Sequence, residues 1–282
     1  MNLERVVRPA GPFTLALSMK HASDATRHVR DGTLTTTLRI GERVEIGSAC
    51  QTLDGSVVLR AATEEGLERL RFVLALDDDL TPFHRAYRSD ALIGRALKAN
   101  PKLRVTRTPD PFEALAWAVM YQLIDTQQAG NIAFDFTRRY GTQHPSGVWA
   151  APTRAAFTNQ AALEACGLAA TQARTLARVA RSNVDPADHA RLAALPGIGE
   201  WTLGQLDLFG HGRYDVPLAK DVGIRNSYAR MVGVRTGSVT EAEFKAVLDR
   251  YAPYQGMAAL YMTAAGWRGG ARYESGHALR RR

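Results

Sequence analysis

The chain has 282 residues, 45% of them hydrophobic and 23% charged, enough to bury one large core or two moderate ones. Cys50 and Cys166 belong to no CxxC pair, so neither a disulfide framework nor a cysteine-built zinc or iron–sulfur centre is implied, and the lack of ~20 consecutive apolar residues excludes a membrane-spanning helix. The net charge of +8 is unevenly placed: residues 1–90 carry 12 Lys and Arg against 13 Asp and Glu, whereas residues 91–282 carry 24 against 15. A near-neutral first part joined to a basic remainder suits a protein whose second part meets a polyanion, and equally an Arg-rich composition with no such partner. Met1-Asn2-Leu3-Glu4-Arg5 is not followed by an apolar run, so a cytoplasmic location is expected.

Short, largely alternating segments predict strands at Phe13–Leu17, Leu34–Ile40, Arg43–Ile46 and Ser56–Arg60, separated by Gly32, Gly41 and Gly55, with Asp54-Gly55 as a hairpin turn. His21 to His28 reads as a brief helix, and Leu67, Leu70, Val73 and Leu74 predict a helix over Thr63–Leu76. Asp77-Asp78-Asp79 lacks the alternate-residue spacing of a calcium loop and reads as a solvated helix end at the start of a linker. Short helices are expected over Phe83–Tyr87 and Leu92–Leu97.

Asp110-Pro111-Phe112-Glu113 is a strong helix start: a capping Asp, Pro at the first position and Glu three residues after the cap. The helical pattern runs on to Tyr140-Gly141, and Gln122, Asp125, Gln127 and Gln128 divide it into two helices joined near Ile124 to Gln127. Helices are then expected over Thr153–Cys166 and Ala170–Arg181, separated by Gly167-Leu168. After Asp221 the pattern stays helical over Val222–Met231, Thr240–Arg250 and Tyr254–Ala265, and Arg280-Arg281-Arg282 reads as a disordered tail.

Between these lies the stretch around which the chain is arranged. Asp185-Pro186-Ala187-Asp188 caps a helix that ends at Leu195-Pro196-Gly197-Ile198-Gly199, and a second helix opens at Glu200-Trp201. Two glycines entered through a proline make a tight bend and leave backbone N–H groups uncovered, so that a phosphate oxygen can approach Gly197 and Gly199. Asp221 follows in the loop Val216-Pro217-Leu218-Ala219-Lys220-Asp221, either as a functional carboxylate or as the cap of the next helix. Lys220 is an electrostatic helper for an anionic partner or a solvated loop lysine.

With these residues the sequence resembles the helix-hairpin-helix family of DNA base-excision glycosylases, most closely its 3-methyladenine DNA glycosylase II branch. The similarity is strongest from Asp110 to Gly141 and from Gly167 to Gly266. The resemblance implies an α+β fold: a small antiparallel, TBP-like sheet domain over residues 1–85, then an all-helical glycosylase region over 86–282, with the helix-hairpin-helix motif at about 187–209 and the catalytic loop at about 214–221. It implies Asp221 as the catalytic carboxylate and Trp201, Tyr251, Gln205 and Gln122 around the base pocket. DNA would be held by Leu123, Pro196, Gly197, Ile198, Gly199 and Lys220, with Leu123, in Gln122-Leu123-Ile124-Asp125, as the wedge pushed into the duplex. No cofactor is required; a structural Na+ or K+ is implied at the backbone carbonyls of Ala193, Leu195 and Ile198.

Strand-cleaving members of the family carry a lysine where this chain has Trp201. A tryptophan offers no amine for a Schiff base and a broad face for a flipped base, so the resemblance implies a monofunctional, monomeric enzyme that releases alkylated purines such as 3-methyladenine and 7-methylguanine from double-stranded DNA. Two residues depart from the pattern: Gln205 stands where the branch has an aromatic, and Gln255-Gly256 stands where the family usually has Arg-Ser. A non-enzymatic DNA-binding or lesion-sensing protein on the same scaffold is the chief alternative, and a transcription regulator with a sheet-like sensor domain the more distant one.

Overall fold

In the computed structural model the described residues are 2–18, 25–41 and 43–266. Strands β1 (Leu3–Val7), β2 (Arg27–Arg30), β3 (Thr33–Ile40), β4 (Arg43–Gln51) and β5 (Val57–Ala61) form one antiparallel sheet in the order β1-β5-β4-β3-β2. Alternation sends Leu34, Leu38 and Ile40 of β3 and Val57, Leu59 and Ala61 of β5 into the core. Helix α2 (Glu64–Val73) covers that face with Leu67, Leu70 and Val73. Its first turn is fixed by Thr63, whose Oγ1 accepts the Gly66 amide at 3.0 Å. Each fully buried leucine contributes about 1.5–3 kcal/mol, so this face is what holds the sheet.

The sheet corrects two expectations. Phe13–Leu17 is not a strand: helix α1 (Leu15–Ser18) occupies it, and Phe13 and Leu15 are buried as plugs of the sheet core. The alternation there reports burial, not pairing. His28 lies in β2, not in a helix over 21–28, because Val29 pairs with Leu34 across Asp31-Gly32, both at positive φ. That dipeptide is the Asp-Gly signature of a two-residue hairpin. Residues 19–24, where the rest of that helix was expected, and Arg280–Arg282 lie outside the described residues. The edge strand β1 also escaped the sequence pattern, since Val6 points outward and its alternation is too short to register.

The remainder is helical: α3 (Thr81–Tyr87), α4 (Gly94–Ala99), α5 (Pro111–Met120), α6 (Thr126–Tyr140), α7 (Gln160–Ala165), α8 (Ala170–Ser182), α9 (His189–Ala193), α10 (Glu200–Leu206), a π-helical turn (Asp207–His211), α11 (Val222–Met231), α12 (Glu241–Asp249) and α13 (Gln255–Gly266). A short ribbon, β6 (Thr142–Gln143) with β7 (Trp149–Ala150), follows α6. Caps expected from sequence are present at Asp110, Asp188 and Asp221, and Thr240 forms a capping box with Glu243. The helix expected over 153–166 is shorter, because Asn159 caps α7 and only a 3-10 turn, Ala156–Thr158, precedes it. Helices α5 to α10 share one apolar core; α3, α4 and α11 to α13 share another. Phe83 of α3 packs on Tyr254 and Tyr261 at 5.3 and 5.8 Å between centroids, so the helical region begins near Leu80 rather than at residue 86.

The sheet domain is locked to the helices by two buried arginines. Arg104 donates to the carbonyls of Ala10, Pro12 and Ala75. Arg107 pairs with Asp78, lies over the Phe72 ring at 4.7 Å and reaches the Gly212 carbonyl at 3.3 Å; Tyr214 donates its hydroxyl to the same Asp78. Burial, and then Asp78, push the Tyr214 hydroxyl well above the usual tyrosine range, which keeps it a donor. Asp78 is therefore no solvated linker residue, whereas Asp77 pairs with Arg71 at the surface and Asp79 accepts the Thr81 amide at 2.9 Å. Removing one partner of a buried ion pair strands the other in low dielectric. Arg107→Met should cost about 3–5 kcal/mol and Asp77→Asn about 0–1 kcal/mol in chemical denaturation. Equal losses for the two would show that Asp78 and Arg107 do not clamp the domains.

Candidate functional site

The bend between α9 and α10 forms because Pro196 has no N–H to continue the helix and Gly197 takes φ +93°. Gly197 is also forced by contact: a Cβ there would stand 2.4 Å from the Thr175 Oγ1 of α8. Ile198 anchors the bend in the core, and its amide donates to the Leu195 carbonyl at 3.0 Å. Gly199 has ordinary extended backbone, with φ −120°, and nothing lies within 4 Å of where its Cβ would be. No side chain caps α10, so its first amides are left open beside the exposed Pro196, Gly197 and Gly199.

The second helix of the bend delivers Trp201 and Gln205, one turn apart, to Asp221. Asp221 Oδ2 accepts from Trp201 Nε1 at 2.9 Å and from Gln205 Nε2 at 3.5 Å; Oδ1 accepts the Ile224 amide at 2.9 Å and so caps α11. The capping role and the placement of a half-buried carboxylate beside an indole thus coexist, one on each oxygen. Trp201 rides on the first helical core and Asp221 opens a helix of the second, so the pair bridges the two.

Leu123 lies at the tip of the turn from α5 to α6. It is fully exposed and takes φ +58°, a left-handed conformation that a bulky residue rarely adopts. Sequence expectation split the 110–141 span near here, and the structure does so, with Asp125 capping α6 through the amides of Gln127 and Gln128. The Gln122 side chain is not free to line a pocket: its Nε2 donates to the Gly197 carbonyl at 3.0 Å and to Thr202 Oγ1 at 2.7 Å. The Gln122 carbonyl in turn accepts from buried Gln172. Gln172, Thr175 and Arg178 lie at three-residue spacing along α8 and touch the leucine turn, Gly197 and the Pro196 carbonyl respectively. Sequence reading missed them; the available signal was a polar stripe on a helix otherwise rich in buried Ala, Leu and Val.

Two expected site residues have their side chains engaged by other residues. Tyr251 is 1% exposed, stacks near Tyr87 at 5.0 Å and donates its hydroxyl to Asp90 at 2.8 Å, so neither ring face is open to a ligand. Burial pushes that hydroxyl far above the usual tyrosine range. Lys220 Nζ is 3.0 Å from Glu200 and 3.9 Å from Glu241; the Glu200 partner raises its pKa and holds it as an ammonium. The Gly256 departure has a steric reason: its amide donates to the Tyr214 carbonyl at 2.8 Å, and a Cβ would meet Leu208 and Val216 at 3.1 Å. Gln255 Oε1 is buried without a partner. A cavity of about 370 Å³, lined by Arg39, Asp110, Arg154 and Asp185 among others, contains none of the residues around Asp221.

No family model matches the chain. DNA-3-methyladenine glycosylase 2 of Escherichia coli (strain K12) is 27% identical over 191 residues, which span 62% of this chain and 65%, less than two thirds, of that relative. A 3-methyladenine DNA glycosylase from Archaeoglobus fulgidus superposes with a TM-score of 0.79 at 18% identity, covering 93% of this chain and 97% of that one. The apo form of an 8-oxoguanine glycosylase/lyase from Clostridium acetobutylicum gives 0.71 at 16% identity, covering 94% and 98%. At these identities the superpositions establish the shared fold.

The two glycines of the bend should separate on mutation. Gly197→Ala places a side chain at positive φ and against Thr175, and should cost about 1–3 kcal/mol in urea unfolding. Gly199→Ala, at an ordinary φ in open space, should stay within about 1 kcal/mol of wild type. A harmless Gly197→Ala would show that the bend does not need glycine there.

Proposed function

We propose that this chain, which shares the fold of the 3-methyladenine and 8-oxoguanine DNA glycosylases above, is a monofunctional DNA glycosylase hydrolysing the N-glycosidic bond of alkylated purines in duplex DNA. One observation carries the reading. The Asp221 carboxylate is fixed by the Ile224 amide and by Trp201 Nε1, each at 2.9 Å, and Trp201 opens the helix that follows a glycine bend with uncovered amides. Sequence similarity to a 3-methyladenine glycosylase supports the substrate class.

In the proposed reaction the extruded nucleotide places C1′ beside Asp221. Negative charge there stabilises the oxocarbenium-like sugar as the C1′–N bond breaks, the bonding pair leaves with the purine, and Asp221 orients the water that adds to C1′. Two fixed donors leave the carboxylate little freedom to turn away. Purines alkylated at N3 or N7 already carry positive charge, so they depart with little help from a general acid. Such a base gains stacking and cation–π attraction from Trp201, while Gln205 beside the carboxylate adds an amide in place of a second aromatic ring. Because Tyr251 is sealed in the core, selection rests on Trp201 and on the weakness of the bond more than on an aromatic cage.

Amine chemistry is disfavoured on two counts. The residue at position 201 is a tryptophan, and Lys220, next to Asp221, is held protonated by Glu200, the opposite of what Schiff-base formation needs. For DNA, the basic 91–282 region supplies non-specific attraction and the Gly197 and Gly199 amides receive a phosphate. A Na+ or K+ on the carbonyls of Ala193, Leu195 and Ile198 would add positive charge beside that phosphate. Leu123 fills the gap left in the stack.

Four experiments test this. Asp221→Asn keeps the helix cap, since Asn caps as well as Asp, and should lower 3-methyladenine release at least about a hundredfold with DNA affinity retained. Near wild-type release would end the assignment, and no release by the wild type from duplexes each carrying one defined lesion would leave a DNA-binding scaffold. Borohydride should trap no covalent adduct; a trapped adduct would make the protein a lyase. Leu123→Gly should leave stability within about 1 kcal/mol, where a core leucine would cost about 2–5 kcal/mol on truncation, yet weaken capture of lesion DNA. Gly199→Asp should weaken DNA binding at low salt, and unchanged affinity would refute phosphate docking at the bend.

A further inference from the structure

At the end of the helix pair opposite the glycine bend, three ligating side chains converge. His189 is the first residue of α9, and Asp207 and His211 open and close the π-helical turn that prolongs α10. One ligand atom from each of the three lies within 4.8 Å of the others, and the two imidazole centroids are 5.9 Å apart. Asp207 is only 7% exposed, and its Oδ1 is a buried carboxylate oxygen with no hydrogen bond. His189 Nε2 stands 3.2 Å from that oxygen without donating to it. Arg213 is 3.8 Å away and gives its hydrogen bonds to Asp215. A buried carboxylate oxygen that accepts no hydrogen bond is costly even with a histidine and an arginine within 4 Å, and a cation at the same place lowers the cost.

We propose that His189, Asp207 and His211 bind one divalent transition-metal ion, Zn2+ by their chemistry, which staples the two helices of the bend at their open end. Two imidazoles and a carboxylate are a nitrogen–oxygen set suited to zinc, and three protein ligands leave a position for water, which the half-exposed histidines admit. His211 Nε2 lies 3.3 Å from the Pro186 carbonyl; a proton donated there fixes the tautomer and leaves Nδ1 as the lone pair, the usual support for a ligating histidine. The π-helical turn places an acid and a histidine four residues apart on one side of the rod, an irregularity that recurs at functional sites. The site shares no residue with Asp221, Trp201 or the glycine bend, so it stands or falls apart from the glycosylase reading.

The test uses the untagged full chain stripped with a chelator. Zn2+ competed against a chromophoric chelator should load one equivalent with Kd of about 1 µM or tighter and raise the melting temperature. His189→Gln with His211→Gln, which keeps polar groups in place of both rings, should weaken uptake at least about tenfold and abolish the melting shift. A His144→Gln control, at a half-exposed histidine away from the cluster, should load as the wild type does. Co2+ in place of Zn2+ should give the visible bands of a four-coordinate site in the wild type and lose them in the double variant. No stoichiometric uptake, or uptake undiminished in the double variant, would overturn the site. The metal-free melting temperature of the double variant checks that it folds.

Discussion

The two oxygens of one carboxylate hold the working end of this molecule together. Asp221 Oδ1 completes the first turn of α11, and Oδ2 receives the Trp201 indole from α10. Those helices belong to different apolar cores, so the side chain aligns two bodies and also stands half-exposed between them. A helix cap is worth about 1 kcal/mol, and a hydrogen bond to a charged group about 1.5–3 kcal/mol, so its stabilising role alone justifies an Asp at this point. The same fixation makes it suitable for chemistry, since a carboxylate already oriented loses nothing on meeting a developing positive charge.

Around that point runs a polar frame on α8. Gln172 holds the turn that carries Leu123, Thr175 packs against Gly197, and Arg178 caps the Pro196 carbonyl. Gln122 closes the loop by joining the leucine turn to Gly197 and Thr202. Leu123 is unfavourable twice over, as an apolar side chain in water and as a bulky residue in left-handed backbone at roughly 1–2 kcal/mol. Net hydrogen bonds of about 1 kcal/mol each offset that strain and keep the tip at a set distance from the glycine bend.

The sheet domain enters through a different device. Arg104 and Arg107 thread from the start of the helical region into the sheet domain and satisfy carbonyls and the Asp78 carboxylate there. Tyr214, in the loop leading to Asp221, donates to the same carboxylate, so the catalytic-loop candidate is anchored at its far end by the sheet domain. The sheet thereby reaches the site without lending it a side chain.

Local chemistry determined much of this from sequence alone. Proline and glycine must break the helix at Leu195–Gly199, Asp110-Pro111 must start one, and Asp221 sits where a cap is needed; each depends on neighbours in the chain, so each was legible. The break in the helix near Leu123 followed similarly from the polar residues around it, whereas its exposure was expected only from the family resemblance. What only the tertiary structure decided were long-range matters: that Tyr251 faces Asp90 and the core instead of a ligand, that Gln122 spends its amide on the bend, that Lys220 is neutralised by Glu200, and that Asp78 is a clamp and not a linker. An aromatic or charged residue reads the same in sequence whether its partner is a base, a phosphate or another side chain. The partner is chosen by packing between segments some 20 to 160 residues apart, which no periodicity records.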